Sequence, residues 1–488
     1  MPERNGFHSG RRCWSMANVL NQSSTDEELI QGAIEGVKSA QIGFERDPKK
    51  WLDEHGPIPP NVPLPGGSHL WITKEGLNAL RCFGAKWLRN NPQLKKGLNA
   101  AIAKSWAVEA FGRLIAEVRS GQSQNKGSDD CIPVLKSFLA EWAQKRFRTF
   151  VYYFPCYVSR NEERWAIGPV TIIPRAGWLD EVVSESGGKS KSWVDAIRPQ
   201  WAAGLSELPK ACETLSPREQ LTARVALTDG PSPSVAKVVV EASEVSRAKE
   251  RARIAASLAV DSIGLVLDSF SALTTVRGPD DEIRPRLEHI FSQERGQEVT
   301  WSSHLDVPSG GAPARRVLAQ MARYVAGVGE ILEVLTKQTP SRGTPELDQR
   351  WLNALYWFGK ARREKADFLS ISLMGAALDI LTKGKYVKGI KALAAALFGN
   401  TDNTVIASDG RTQGELLEAI YDKTRSQFAH GSVLGLLAEL PIERADADVL
   451  ASAMLVSYFE LLSRYRGADD YESFKKWIPG ALVAAPPP

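Results

Sequence analysis

Arg425 and His430 stand in the string Tyr421-Asp422-Lys423-Thr424-Arg425-Ser426-Gln427-Phe428-Ala429-His430-Gly431. An imidazole with an ordinary pKa of ~6.5 can move protons at neutral pH, and a guanidinium can hold a phosphate through two parallel hydrogen bonds. Together they suffice for cutting RNA without a metal. A base takes the ribose 2′-OH proton, the freed oxygen attacks the neighbouring phosphorus, the cation stabilises the added negative charge, and an acid protonates the departing 5′-oxygen. DNA lacks that nucleophile. Five residues are about 140° of an ideal helix, so the two side chains do not share a face of a straight one. Gly431 offers a way for them to converge, because a glycine at C′ ends a helix in a left-handed turn. A histidine at that end is favoured in its protonated form by the helix dipole. The plainer alternative stays open: Arg and His at this spacing also arise by chance, and a histidine before glycine commonly serves as a cap.

Other motifs lead nowhere. Gly187-Gly188-Lys189-Ser190 resembles the end of a phosphate-binding loop, but Val183 stands where the first glycine belongs and no strand is predicted before it. Gly327-Val328-Gly329 opens a dinucleotide-like glycine pattern that Leu332 breaks, within a helical periodicity, and reads better as a close helix-packing site. HExxH and GxSxG are absent, and the six histidines do not cluster at metal-ligand spacing. Neither a metal nor a cofactor is expected.

The elements that must position the motif are helical. Residues 349–466 predict principal helices at about 349–363, 364–382, 411–430 and 446–466 and a smaller one near 387–398. Apolar stripes such as Trp351/Leu355/Phe358 and Leu369/Leu373/Ala377/Ile380 mark them as a bundle. Lys337–Asp348, with two prolines and a glycine, is the predicted main boundary. Upstream, 1–22 reads as a disordered leader, with Met16 an alternative start, and 23–146 as mostly helical, interrupted by a Pro/Gly-rich loop at 56–68. Residues 147–337 read as a mixed α/β region. There Phe147–Ser159 and Arg164–Pro174 predict a hairpin turning at Arg160–Glu163, and Leu221–Leu227 with Ser234–Ala242 a second strand pair. Long helices follow at about Ser243–Leu273 and Arg315–Lys337. Residues 467–488 read as a tail. The expected class is α+β, predominantly helical, with short β-hairpins before a C-terminal bundle.

Composition sets limits on this picture. The 488 residues carry 61 Lys+Arg against 57 Asp+Glu, a net +4, so any nucleic-acid surface must be local. The five cysteines are scattered and odd in number, which fits a reducing cytoplasm rather than a disulfide framework. No apolar run approaches the ~20 residues of a membrane span. A local basic stretch does exist: Arg350–Lys391 holds nine basic residues against three acidic. Its segment Lys383-Gly384-Lys385-Tyr386-Val387-Lys388-Gly389-Ile390-Lys391 interleaves an aromatic ring with cations. Lys383, Lys385, Lys388 and Lys391 are candidates to hold RNA phosphates and Tyr386 to stack a base. A solvated helix face and loop is the competing reading.

The YxxxRSxxxHG string on the third principal helix of a C-terminal bundle resembles the HEPN superfamily, and within it the Apea-like group of bacterial defence proteins. Trp357 and Ala361, then Phe368-Leu369, then Ala377-Leu378-Asp379 match the earlier helix pair of that group. The resemblance covers roughly 349–466. It implies a metal-independent endoribonuclease acting as a homodimer through the C-terminal bundle, a regulated toxin or abortive-infection effector against phage. RNA would be the substrate, transfer RNA among the candidates, and a phage-derived molecule the trigger. Carried over, Arg425 would stabilise the phosphate and His430 would be the acid/base. Asp379, where the family often has glutamate, would orient one of them, with Tyr421 and Ser426 in support. Ser426 departs from the Asn, Asp or His that many active members place after the arginine. The alternative is a non-catalytic HEPN-like dimerisation or adaptor module in a defence or toxin–antitoxin system.

Overall fold

The computed structural model describes residues 24–56, 59–120, 128–156, 158, 164–185, 188, 190–202, 208–228, 234–267, 286–292, 296–302, 321–407, 409–421 and 440–483. The class is α+β and predominantly helical. The chain forms two compact units, one from Met1–Phe150 with Glu241–Ala248, the other from Val151–Val240 with Lys249–Pro488.

The first unit contains α1 (Asp26–Arg46), α2 (Pro48–His55), β1 (Asn61–Pro63), β2 (His69–Trp71), α3 (Lys74–Asn90), α4 (Pro92–Lys95), α5 (Ala100–Arg119) and α6 (Ser128–Arg146). The polar start read at Ser24-Thr25 is a complete capping box: Glu28 N–H donates to Thr25 Oγ1 at 3.1 Å, and Thr25 N–H donates to Glu28 Oε2 at 2.8 Å. The Pro/Gly-rich 56–68 stretch is not all loop. Val62 and Leu70 are buried opposite one another in the antiparallel β1–β2 pair, which gives Asn61–Pro63 a reason to extend. Packing is close where α3 meets α5: a Cβ on Gly84 would lie 2.3 Å from the Ala103 carbonyl oxygen. Leu80, Phe83, Phe111, Leu114, Leu135 and Leu139 fill this core.

The chain continues through β3 (Arg148–Cys156), β4 (Trp165–Ile167), β5 (Val170–Pro174), α7 (Arg175–Glu185), α8 (Lys191–Ala202), α9 (Pro217–Thr228), β6 (Ser234–Ala242) and α10 (Val245–Leu267). The sheet order is β3-β6-β5-β4. The hairpin is therefore β4–β5, turning at Gly168, rather than a pairing of β3 with β4 across Arg160–Glu163; β6 inserts between. Leu221–Leu227, expected as a strand, is helical within α9. Ser216 and Glu219 cap that helix reciprocally, Glu219 Oε2 accepting from Ser216 N–H at 3.1 Å and Ser216 Oγ from Glu219 N–H at 3.4 Å. The GGKS stretch follows the helix α7, not a strand. Next come the antiparallel pair β7 (Arg286–Ser292) and β8 (Gly296–Ser302).

The C-terminal helices are α11 (Ala322–Thr336), α12 (Pro345–Arg363), α13 (Asp367–Leu381), α14 (Tyr386–Phe398), α15 (Gln413–Glu418), α16 (Pro441–Arg464) and α17 (Tyr471–Val483). Trp351, Leu355 and Phe358 face inward as their spacing predicts. Trp351 Nε1 donates to the Leu455 carbonyl at 3.0 Å, and its ring lies 5.1 Å from that of Phe459. Gly327-Val328-Gly329 is a close-packing site: a Cβ on Gly327 would lie 2.9 Å from Phe459 Cζ, and one on Gly329 2.5 Å from the Gly168 nitrogen.

Two segments, one read as the main boundary and one as a tail, lie within this unit. In the 337–348 stretch, buried Arg342 donates from Nε to both oxygens of fully buried Asp348, at 3.1 and 3.0 Å, and from Nη2 to the Leu462 carbonyl at 2.9 Å. Residues 471–483 form α17, which buries Tyr471, Phe474 and Ile478. Asp469 just before it caps α12, accepting from the Glu346 and Leu347 N–H groups at 2.7 and 3.0 Å.

Candidate functional site

The site begins at the end of α13. Lys383 stands at its C′ position with φ 64° and Gly384 follows with φ 72°. Gly384 N–H donates to the Asp379 carbonyl at 3.0 Å and Lys383 N–H to the Ile380 carbonyl at 3.2 Å. This is a Schellman ending with lysine where glycine is the usual occupant. The chain then turns directly into α14, and Tyr386, its first residue, is again left-handed at φ 56°. For a bulky side chain that backbone is strained.

Asp379 ties the turn to the start of the Arg/His segment. Its side chain is almost wholly buried. Oδ1 accepts from the Tyr386 N–H at 3.0 Å, placing a carboxylate at the N-terminus of α14. Oδ2 accepts from the Tyr421 hydroxyl at 3.4 Å. Tyr421 is buried and its ring meets that of Tyr386 edge-on, at 6.4 Å between centroids and 80° between planes. The helix that leads to Tyr421, α15, ends three residues before it and begins with a capping box in which Thr412 Oγ1 accepts from the Glu415 N–H at 3.2 Å and Glu415 Oε2 from the Thr412 N–H at 2.8 Å. Asp379, Tyr386 and Tyr421 are thus brought together. Arg425, Ser426 and His430 lie outside the described residues.

The basic stretch is not one patch. Arg362 grips Asp448 through two 2.7 Å bonds between α12 and α16, and Arg363 grips Asp261 of α10 at 2.6 and 3.2 Å. Arg350 donates to the Ile380 carbonyl at 3.0 Å. Lys391 pairs with Glu418 and lies 3.7 Å from Asp402; its bond to Glu418 holds its ammonium above the ordinary lysine value. Lys385 pairs with Glu472, which that bond holds below the ordinary glutamate value, and sits over the Tyr471 ring. Lys383, Lys388 and Tyr386 are exposed, Tyr386 by 67%. Sequence reasoning gathered these residues but missed the left-handed turn that displays two of them. Gly384 was the one sign of it in the sequence, because the other two left-handed positions, Lys383 and Tyr386, hold residues other than glycine.

Of the residues matching the earlier helix pair, Ala361, Phe368, Ala377 and Leu378 are buried while Trp357 is 40% exposed. Among the described residues no group of His, Cys, Asp and Glu is arranged to hold a metal, and no helix is long and apolar enough to cross a membrane. No protein-family model, no curated protein and no solved structure matches the chain.

Proposed function

We propose that the chain is a metal-independent endoribonuclease of the HEPN type. It works as a homodimer through its C-terminal bundle and serves as a regulated toxin or anti-phage effector. The observation that supports this reading is the nearly buried Asp379 carboxylate, bonded to Tyr421 four residues before Arg425. A carboxylate at the head of an Arg/His segment is suited to orienting a cation or an imidazole. In the reaction, His430 takes the 2′-OH proton, the 2′-oxygen bonds to phosphorus, and Arg425 stabilises the added negative charge. The P–O5′ bond then breaks as the second copy's histidine protonates the leaving oxygen. The products are a 2′,3′-cyclic phosphate and a 5′-hydroxyl.

The test incubates purified RNA with the intact protein and with His430→Ala in EDTA, reading fragment ends. Cleavage by the parent alone, with cyclic phosphate ends, is expected. Equal cleavage by both, or by neither even in phage-infected host cells, rejects the proposal.

One observation favours the adaptor reading. Arg362, Arg363, Lys385 and Lys391 are committed to carboxylates rather than presented to a phosphate chain. Under that reading Arg425→Ala weakens the dimer and no nuclease activity accompanies the parent.

A further inference from the structure

The turn between α13 and α14 holds two side chains outward on backbone that disfavours them. Lys383 and Tyr386 both have left-handed φ, 64° and 56°. Glycine adopts that conformation freely, so neither the Schellman ending nor the start of α14 requires these side chains. A lysine at a helix C-terminus gains a little from the dipole, which accounts for part of Lys383. Nothing comparable accounts for Tyr386. The residue is 67% exposed, and its one ring contact among the described residues is the T-shaped meeting with Tyr421, 6.4 Å between centroids, so most of its surface is open to a ligand. Its backbone is nonetheless held, because its N–H donates to Asp379 at 3.0 Å.

The charges around the ring favour an anionic chain of low charge demand. Lys388, two residues into α14 from Tyr386, is exposed, as is Lys383. Lys385 and Lys391 are engaged by Glu472 and Glu418. Asp470 and Glu472 face Lys383 closely enough that its charge helps hold both below their ordinary values, after the hydrogen bonds from Ser473 and Lys385 that dominate. Two exposed cations, three residues before and two residues after one exposed aromatic residue, suit one or two phosphates and a single base. They do not suit the dense phosphate lattice of a duplex, whose bases are in any case unavailable for stacking.

We propose that Tyr386 is a stacking platform for one unpaired base of single-stranded RNA, with Lys383 and Lys388 holding the adjoining phosphates. This rests on the ribonuclease reading for the identity of the ligand, and it names unpaired rather than duplex RNA as the substrate class.

The test measures binding of a fluorescein-labelled 12-nucleotide single-stranded RNA, and of the same sequence as a duplex, to full-length His430→Ala protein by fluorescence anisotropy. Single-stranded RNA should bind at least tenfold tighter than duplex. Tyr386→Gly should lower single-strand affinity about tenfold while leaving the melting temperature unchanged or raised, and Tyr386→Phe should retain the affinity. Lys388→Ala should reduce the slope of log K against log salt by about 0.7. Equal affinity for Tyr386→Gly and parent, equal affinity for duplex and single strand, or no binding by the parent overturns the proposal. The two readings fail separately. Tyr386-dependent binding by a protein that never cleaves RNA sinks the ribonuclease and leaves the platform. His430-dependent cleavage with binding indifferent to Tyr386 does the reverse.

Discussion

Asp379 offers a way to separate holding the fold from positioning a site. Its Oδ1 accepts from Tyr386 N–H at 3.0 Å and its Oδ2 from the Tyr421 hydroxyl at 3.4 Å. Replacing it by alanine removes both bonds. The first is charge-assisted and sits at a helix N-terminus, about 1.5–2 kcal/mol, and the second is long and contributes under ~1 kcal/mol. Asp379→Ala should therefore destabilise the second unit by about 2–3 kcal/mol. Asparagine keeps the shape: its carbonyl oxygen still accepts from Tyr386, and its amide can donate to the Tyr421 oxygen. Only the charge is lost, about 0.5–1 kcal/mol. Urea unfolding followed by tryptophan fluorescence should thus place Asp379→Asn well above Asp379→Ala. If the charge also orients Arg425 or His430, Asp379→Asn should lower RNA cleavage at least tenfold despite its near-native stability. Equal unfolding midpoints for the two variants would refute the hydrogen-bond argument. Full cleavage activity in Asp379→Asn would reduce the residue to a helix cap.

Three further outcomes follow from the packing of the second unit. Gly329→Ala should cost about 3 kcal/mol in urea unfolding, because its Cβ would lie 2.5 Å from the Gly168 nitrogen and backbone cannot yield as a side chain can. A double-mutant cycle on Arg362→Ala and Asp448→Ala should give a coupling of about 1–1.5 kcal/mol, above an ordinary surface pair, since the two 2.7 Å bonds are parallel and partly shielded; a coupling near zero removes that pair from the account. Burial pushes the Asp348 carboxyl up to about 6 from 3.8, against the pull of Arg342 and Thr344. The folded state then holds this proton more tightly than the unfolded chain, so the contribution is fully present below pH ~4 and is lost as pH rises to ~6. Carboxyls held low, such as Asp367 by Arg444 and Asp470 by Ser473, act in the opposite sense below that window. Stability measured between pH 4 and 6 should fall with rising pH in the parent and run flat in Asp348→Asn.

The helices of the C-terminal unit were readable because their apolar spacing is strong: Trp351, Leu355 and Phe358 are buried as the period requires. The strand pairing was not, since β3 and β4 are neighbours in sequence but the partner inserted beside β3 comes from residues 234–242. Leu221–Leu227 misled through its alternating β-branched and apolar residues, although Ser216-Pro217-Arg218-Glu219 just before it is a legible capping box with proline at the first turn. The roles of Arg342 and Asp469 were not legible because each sits in a polar, turn-rich stretch and gains its role only from a distant partner, the Leu462 carbonyl and the start of α12. Of the site, the residue types at Asp379, Tyr386 and Tyr421 were visible, but what joins them is a left-handed turn that no periodicity encodes.

Counting charges along a chain overstates what a surface offers. Arg350–Lys391 holds nine basic residues to three acidic, yet four of the nine meet carboxylates that arrive from 261, 402, 418, 448 and 472. What remains beside Tyr386 is chiefly Lys383 and Lys388, both exposed. A ligand gripped by two cations releases few counterions, so its affinity should vary little with salt, with a slope near −1.4 for a single strand. Most of its binding energy must then come from the ring. A phosphate-dominated surface behaves oppositely, losing affinity steeply with salt and hardly noticing the loss of one tyrosine. The salt slope and the Tyr386→Gly effect are therefore linked: a shallow slope with a large tyrosine effect fits the geometry of this turn, whereas a steep slope with a small one points to charges elsewhere on the chain.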